Sequence, residues 1–182
     1  MMEDAQILEK FADRRTRDEA FALLLKKYQQ KIYWHVRRLV IDHDDADDLV
    51  QDIFVKVWKN LANFREDAQL YTWLYRIATN ECITFLNKKK HRQNVSLDDE
   101  SSAYLADSLT DTTYFNGNQA QLKLQQALLT LPEKQRMVFN MKYFDDLKYE
   151  EISEIVGTSV GALKASYHLA VKKIAHFFEA ND

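Results

Sequence analysis

Residues 147–164 read LKYEEISEIVGTSVGALK, and this stretch decides the fold. Ile152, Ile155 and Val156 recur at helical spacing, which predicts a short helix with one apolar side. Gly157 follows, a residue that takes the left-handed conformation ending a helix at little steric cost. Ser159 is then placed to cap a second helix whose Val160 and Leu163 face back onto the first. Two helices joined by so short a turn make a helix-turn-helix. The second helix runs on through Lys164, Ser166, His168, Lys172 and Lys173 to Phe178, and its exposed face from Lys164 to Lys173 carries no acid. A major groove about 12 Å wide admits one helix, and an acid-free face suits a helix set beside phosphates. The plainer alternative is a helical hairpin with solvated lysines.

Upstream, Leu122, Leu124, Leu128 and Leu129 begin an apolar stripe, Leu131-Pro132-Glu133 breaks it with proline at a helix start, and Met137, Val138 and Met141 resume it. Residues 91–119 differ. Asp98, Asp99, Glu100, Asp107 and Asp111 mix with Ser, Thr and Asn, and no Lys or Arg occurs between Arg92 and Lys123. This reads as a flexible acidic linker with room for short helical turns around Tyr104–Leu109. The first half of the chain carries three further stripes. One spans 16–41 (Phe21, Leu24, Leu25, Tyr28, Ile32, Val36, Leu39), a second runs from Ala46 to Leu61, and a third from Leu70 to about Lys90. Asp44 is the expected N-cap of the second, residues 62–69 are loop-like, and a short helix is expected around Asp4–Phe11.

The composition agrees. The 182 residues hold 3 Gly and 1 Pro, too little punctuation for the turns of a sheet protein, and no glycine-rich phosphate loop is available. Hydrophobic residues at 46% and charged ones at 29% describe a globular chain, long enough for one ordinary domain or two small ones. The expectation is therefore an all-α protein of two small helical domains, 1–92 and 120–182, joined by the linker 93–119, the second domain a helix-turn-helix. The N-terminus reads Met-Met-Glu-Asp, and no run approaches the ~18 apolar residues of a membrane span, so a cytoplasmic chain without membrane insertion is expected. The single cysteine, Cys82, rules out an internal disulfide and a cysteine-based zinc finger, and its mid-helix place makes it a small buried hydrophobe. A net charge of −3 counts against a free-standing nucleic-acid binder, which usually carries a basic balance.

Three clusters remain. The third helix carries Tyr71, Trp73, Tyr75, Arg76, Asn80, Lys88, Lys89 and Lys90, with Glu81 its only acid. Aromatics stack on unpaired bases while cations hold the backbone; equally, Trp73 suits a core and the lysines suit the negative end of a helix dipole. Asp42, Asp44, Asp45, Asp47, Asp48 and Asp52 lack the Gly and terminal Glu of a calcium loop, and read as a solvated helix start or a face for a basic partner. The five histidines show no ligand spacing. No catalytic constellation stands out, and neither metal nor cofactor is expected.

Taken together these residues resemble the extracytoplasmic-function (ECF) class of bacterial RNA polymerase sigma factors, within the sigma-70 family. Asp45 to Trp58 (DADDLVQDIFVKVW) resembles the polymerase-docking helix. Phe64-Arg65 with Thr72 to Asn80 (TWLYRIATN) resembles the −10 promoter region. Leu131 to Lys173 resembles the −35-binding domain. The resemblance implies a factor without enzymatic activity that docks on the clamp helices of the β′ subunit of core polymerase, captures melted −10 DNA, reads −35 DNA and touches the β flap. It implies that the polymerase supplies much of the phosphate contact, and that the acidic linker threads a basic channel. An anti-sigma partner is compatible with it, though no residue here carries that reading. Asp47, Asp48, Gln51, Phe54 and Trp58 would dock on the polymerase. Arg65, Tyr71, Trp73, Arg76, Asn80, Lys88 and Lys89 would meet −10 DNA, with Lys90 grouped with the phosphate-holding lysines. Ser159, Ala162, Lys164, Ser166, His168, Lys172 and Lys173 would meet −35 DNA: Lys164 and His168 at bases, Ser166, Lys172 and Lys173 at phosphates, with Val160, Leu163, Tyr167 and Ala170 or Val171 packed beneath. One departure is that many members carry Arg where this chain has Ser166, Leu169 and Val171. The alternatives are a stand-alone helix-turn-helix regulator with an N-terminal sensing or dimerisation domain, and a helical scaffold without a DNA role.

Overall fold

A computed structural model describes residues 2–110 and 118–181. Asp111 of the linker's acids lies outside them. Among the described residues the regular structure is helical: α1 (Asp4–Ala12), α2 (Arg17–Val40), α3 (His43–Asn60), α4 (Leu70–Arg92), α5 (Ala106–Thr110), α6 (Gln119–Leu129), α7 (Glu133–Tyr143), α8 (Tyr149–Val156) and α9 (Val160–Ala180), with single 3-10 turns at Leu61–Asn63 and Ala103–Leu105. Helices α1 to α4 pack around α2, burying Leu24, Ile32 and Val36 against Ile53, Val57, Leu74, Ala78 and Cys82. Burial pushes the Cys82 thiol well above its ordinary range, leaving it protonated and inert. Helices α6 to α9 form the second unit, with Leu128, Leu131, Phe139 and Ala170 in a small core of their own.

The turn between α2 and α3 is tighter than the stripes predict. Ile41 sits at φ 70°, ψ −48°, and the Asp42 N–H donates to the Val40 carbonyl at 2.9 Å, a γ-turn of the strained hand. Asp42 rather than Asp44 caps α3, its carboxylate accepting from the Asp45 N–H at 2.9 Å. The expected cap is displaced because the reversal begins sooner and brings Asp42 to the helix mouth.

That reversal leaves the last carbonyls of α2 without helical partners, and Arg136 of α7 answers them. Its side chain is only 1% exposed. Nη1 donates to the Arg38 carbonyl at 2.8 Å and the Leu39 carbonyl at 3.1 Å, Nη2 to Leu39 at 3.1 Å, and Nε to the Ser102 hydroxyl at 3.0 Å. A cation at the negative end of a helix dipole is favourable. Burial lowers the guanidinium pKa, opposed by neighbouring Tyr104 and Glu133, and the group stays charged.

Further contacts join the two units. Buried His35 places Nδ1 at 3.1 Å from Asp145 and Nε2 at 2.9 Å from the Thr79 hydroxyl, and Arg38 donates to Asp145 at 2.9 Å. Lys90 donates to the Asp99 carbonyl at 2.7 Å and to Glu133 at 2.8 Å. Asn140 is also buried here, and its Oδ1 has no partner among the described residues. The linker is held in the same seam: Ser102, Leu105 and Leu109 are buried, Tyr104 donates to Glu133 at 2.6 Å, and the Glu133 N–H donates to the Glu100 carbonyl at 2.7 Å. Its described part is thus packed between the units, with helical turns where 104–109 allowed them.

Replacing Arg136 by Met keeps the length of the side chain and removes every donor. Buried carbonyls and a hydroxyl are then left unpaired, and we expect a loss of about 3 kcal/mol. Urea unfolding followed by far-UV circular dichroism measures it; an unchanged midpoint would show that water replaces the guanidinium without cost.

Candidate nucleic-acid and partner surfaces

The helix-turn-helix is built as its sequence dictates. The Lys148 N–H donates to Glu151 at 2.7 Å, fixing the start of α8. Gly157 ends it at φ 70°, ψ 26°, and the Ser159 hydroxyl accepts from the Ala162 N–H at 3.3 Å to start α9. Leu163 and Ala170 point inward, and the ring of Tyr167 stacks on Phe139 with centroids 5.7 Å apart. Ala170 is therefore the packed member of the pair left open by the sequence, and Val171 is 42% exposed. Ala162, Lys164, His168, Lys172 and Lys173 are exposed, and Ser166 is half-buried on the edge. Lys164 lies over the Tyr149 ring at 5.7 Å, and Lys173 donates to Gln135 at 3.1 Å. Lys164, His168 and Lys172 share a face at four-residue steps.

The candidates around α4 divide in two. Trp73, Arg76 and Asn80 follow one another at i, i+3 and i+7, on one side of the helix, and Arg65 is exposed in the segment that leads into it. Trp73 is half-buried against Phe64, their rings 5.2 Å apart. Tyr71 and Lys89 fall on the opposite side of α4. Tyr71 donates to Glu151 of α8, and Lys89 reaches Asp45 at 3.1 Å and Ser108 at 3.3 Å. Arg76 donates to the Glu154 carbonyl of α8 at 3.2 Å. Lys88 is exposed, but Lys90 is 1% exposed and cannot hold phosphate as placed: the linker carbonyl and Glu133 take its ammonium.

The docking face of α3 needs a correction. Asp47, Asp48 and Gln51 are exposed. Phe54 is 6% exposed and belongs to the core, and Trp58 is wedged edge-on between Phe11 and Phe21 at 5.4 and 5.0 Å. The four-residue strip is continuous, but Phe11 of α1 and Phe21 of α2 close over its C-terminal end at Trp58. The apolar residue left outward among these acids is Val55, 52% exposed. It lies one turn beyond Gln51 and Asp52, and a β-branched residue breaking a polar face was the available signal. No group of three or more His, Cys, Asp or Glu suited to a metal occurs among the described residues, and no helix there is long and apolar enough to cross a membrane.

Comparison with known proteins adds an independent finding. Residues 24–92 match the family model for sigma-70 region 2, and residues 121–174 that for sigma-70 region 4. The RNA polymerase sigma-H factor of Pseudomonas aeruginosa is 32% identical over 170 residues, covering 90% of this chain and 87% of that protein. The ECF RNA polymerase sigma factor SigW of Bacillus subtilis is 33% identical over 159 residues, covering 82% and 84%. Among solved structures, the sigma factor RpoE in complex with the anti-sigma factor NepR from Bartonella quintana superposes with a TM-score of 0.70 at 22% identity, over 89% of this chain and 98% of that one. CnrH in complex with the cytosolic domain of CnrY gives 0.68 at 22% identity, over 98% and 96%. At that identity the two structures establish the fold.

The turn between α8 and α9 can be tested directly. A methyl group added at Gly157 meets open space, so Gly157→Ala carries only the backbone cost of a positive φ, about 1 kcal/mol. Ser159→Ala removes the α9 cap and costs a similar ~1 kcal/mol. Thermal unfolding of the two variants should show comparable losses; a neutral Gly157→Ala would mean that the turn relaxes.

Proposed function

We propose a division of labour for this chain, which belongs to the extracytoplasmic-function class of bacterial RNA polymerase sigma factors in the sigma-70 family: α3 docks on the β′ clamp helices of core polymerase, α4 with its preceding segment captures melted −10 DNA, and α9 reads the −35 duplex. The factor works in the cytoplasm and contributes recognition, while the polymerase supplies the chemistry. The observation that carries this reading is the order of the two matched units together with the acid-free, outward face of α9.

Roles follow from exposure. On α3 the docking surface is Asp47, Asp48 and Gln51 with Val55 as its apolar centre, a face suited to a basic partner helix. On α4, Trp73, Arg76 and Asn80 share one side and, with the exposed Arg65 of the preceding segment, offer stacking and hydrogen-bonding groups to unpaired bases, with Lys88 at the backbone. Tyr71 and Arg76 are engaged by α8 in this structure. Use of Arg76 on DNA therefore requires α8 to move off α4, and core polymerase, holding the two units apart, is the agent of that separation. On α9, Lys164 and His168 meet bases while Ser166, Lys172 and Lys173 meet phosphates. An anti-sigma protein is a further proposed partner, from the complex in which the RpoE neighbour was solved.

Run-off transcription with purified core polymerase, with and without this chain, tests the reading as a whole: promoter-specific product should appear only with it. Asp48→Arg should weaken core binding roughly tenfold with helicity unchanged; equal capture in a pull-down would move the docking face elsewhere. Lys164→Ala should cost about 1–3 kcal/mol and relax selectivity at one −35 position, whereas Lys173→Ala should weaken all sequences evenly and reduce the salt slope by about one. Promoter selection by the two variants at several salt concentrations separates them, and the reverse pattern would mean that α9 is rotated in the groove.

A further inference from the structure

The recognition helix carries a feature that its cations do not explain. Leu169 is 47% exposed, although the core beneath α9 is already filled by Leu163, Tyr167 and Ala170. At 100° per residue, Ala162, Ala165 and Leu169 fall within about 60° of one another, and all three are exposed. They form an uncharged strip beside His168 and Lys172, on a helix whose first acid is Glu179. Val171 lies away from the strip.

The base edges of the major groove are met by different side chains. Guanine takes arginine or lysine, adenine takes asparagine or glutamine, cytosine takes a carboxylate, and the C5 methyl of thymine takes an apolar group. From Val160 to Leu169 the helix holds no Arg, Asn, Gln, Asp or Glu. Besides Lys164, His168 and the half-buried hydroxyl of Ser166 at the edge, its outward side chains offer only carbon.

We propose, resting on the sigma-factor reading above, that this strip is a thymine reader: Leu169, with Ala165 one turn before it, seats against the C5 methyl groups of thymines in the −35 duplex. Lys164, His168 and Lys172 hold the helix at that depth. Four residues of helix rise about 6 Å, close to two base steps of about 3.4 Å each, so the two methyl groups belong to thymines within two steps of each other.

The test uses holoenzyme reconstituted from core polymerase and the full chain. The −35 sequence is first selected from randomised duplexes by transcription. Each selected thymine is then replaced by deoxyuridine, which removes the methyl group and leaves the base pair intact. At one or two positions the affinity should fall about fourfold, the amount one methyl group withdrawn from water is worth. Leu169→Ala should lose that penalty at one position, and Leu169→Arg should move the preference there from thymine toward guanine. A selected element without thymine, deoxyuridine tolerated everywhere, or deoxyuridine penalties that all persist in Leu169→Ala overturns the proposal. If initiation is promoter-specific but thymine and deoxyuridine are read alike, the thymine reader alone falls. If core polymerase with this chain transcribes no promoter, the sigma-factor reading falls and the proposal with it.

Discussion

One guanidinium holds the two halves of the chain in register. Arg136 stands on the first helical turns of α7 yet completes the C-terminus of α2, and on its way it fixes Ser102 of the linker. The strained reversal at Ile41 is what makes this necessary. By turning within two residues it leaves α2 carbonyls facing the seam, where Arg136 of another segment donates to them. The placement of α3 relative to α2, and of α7 relative to both, follows from that arrangement.

The seam has a second consequence for α8. Once α7 is seated on α2, the short helix that follows is carried onto α4, where Glu151 and the Glu154 carbonyl take Tyr71 and Arg76. The same α8 supports α9 from behind. A helix that braces α9 on one side and occupies part of α4 on the other ties the two proposed DNA surfaces together. The link runs through α8, by its hydrogen bonds to Tyr71 and Arg76 and its packing on α9, since the outward strips of α4 and α9 are built from separate residues.

Much of this was legible in the sequence. The helix-turn-helix was, because Gly157 and Ser159 each have one local job that residue type alone decides. The stripe of α2 and the inert Cys82 were legible for the same reason: periodicity and isolation are properties of the string. Phe54 and Trp58 were not, because the strip they continue is real and only the tertiary packing, with Phe11 of α1 and Phe21 of α2 on Trp58, decides that its far end is covered. Lys90 was misread in the same way. A lysine among lysines at a helix end looks solvated, and its burial depends on Asp99 and Glu133, partners on segments that periodicity does not connect to it. The acid-rich linker looked free because composition reports charge, whereas Leu105 and Leu109 act one at a time.

Asn140 gives the seam an uneven strength. Its amide is buried beside the Arg136 contacts, its Nδ2 reaching the Arg38 carbonyl at 3.4 Å while its Oδ1 meets no donor. An acceptor in that position loses the hydrogen bond it would have in water and gains nothing for it. When the halves part, that oxygen regains the hydrogen bond it lacks, which offsets a part of the cost of separating α7 from α2. The joint is therefore weaker at Asn140 than at Arg136, where every donor is engaged.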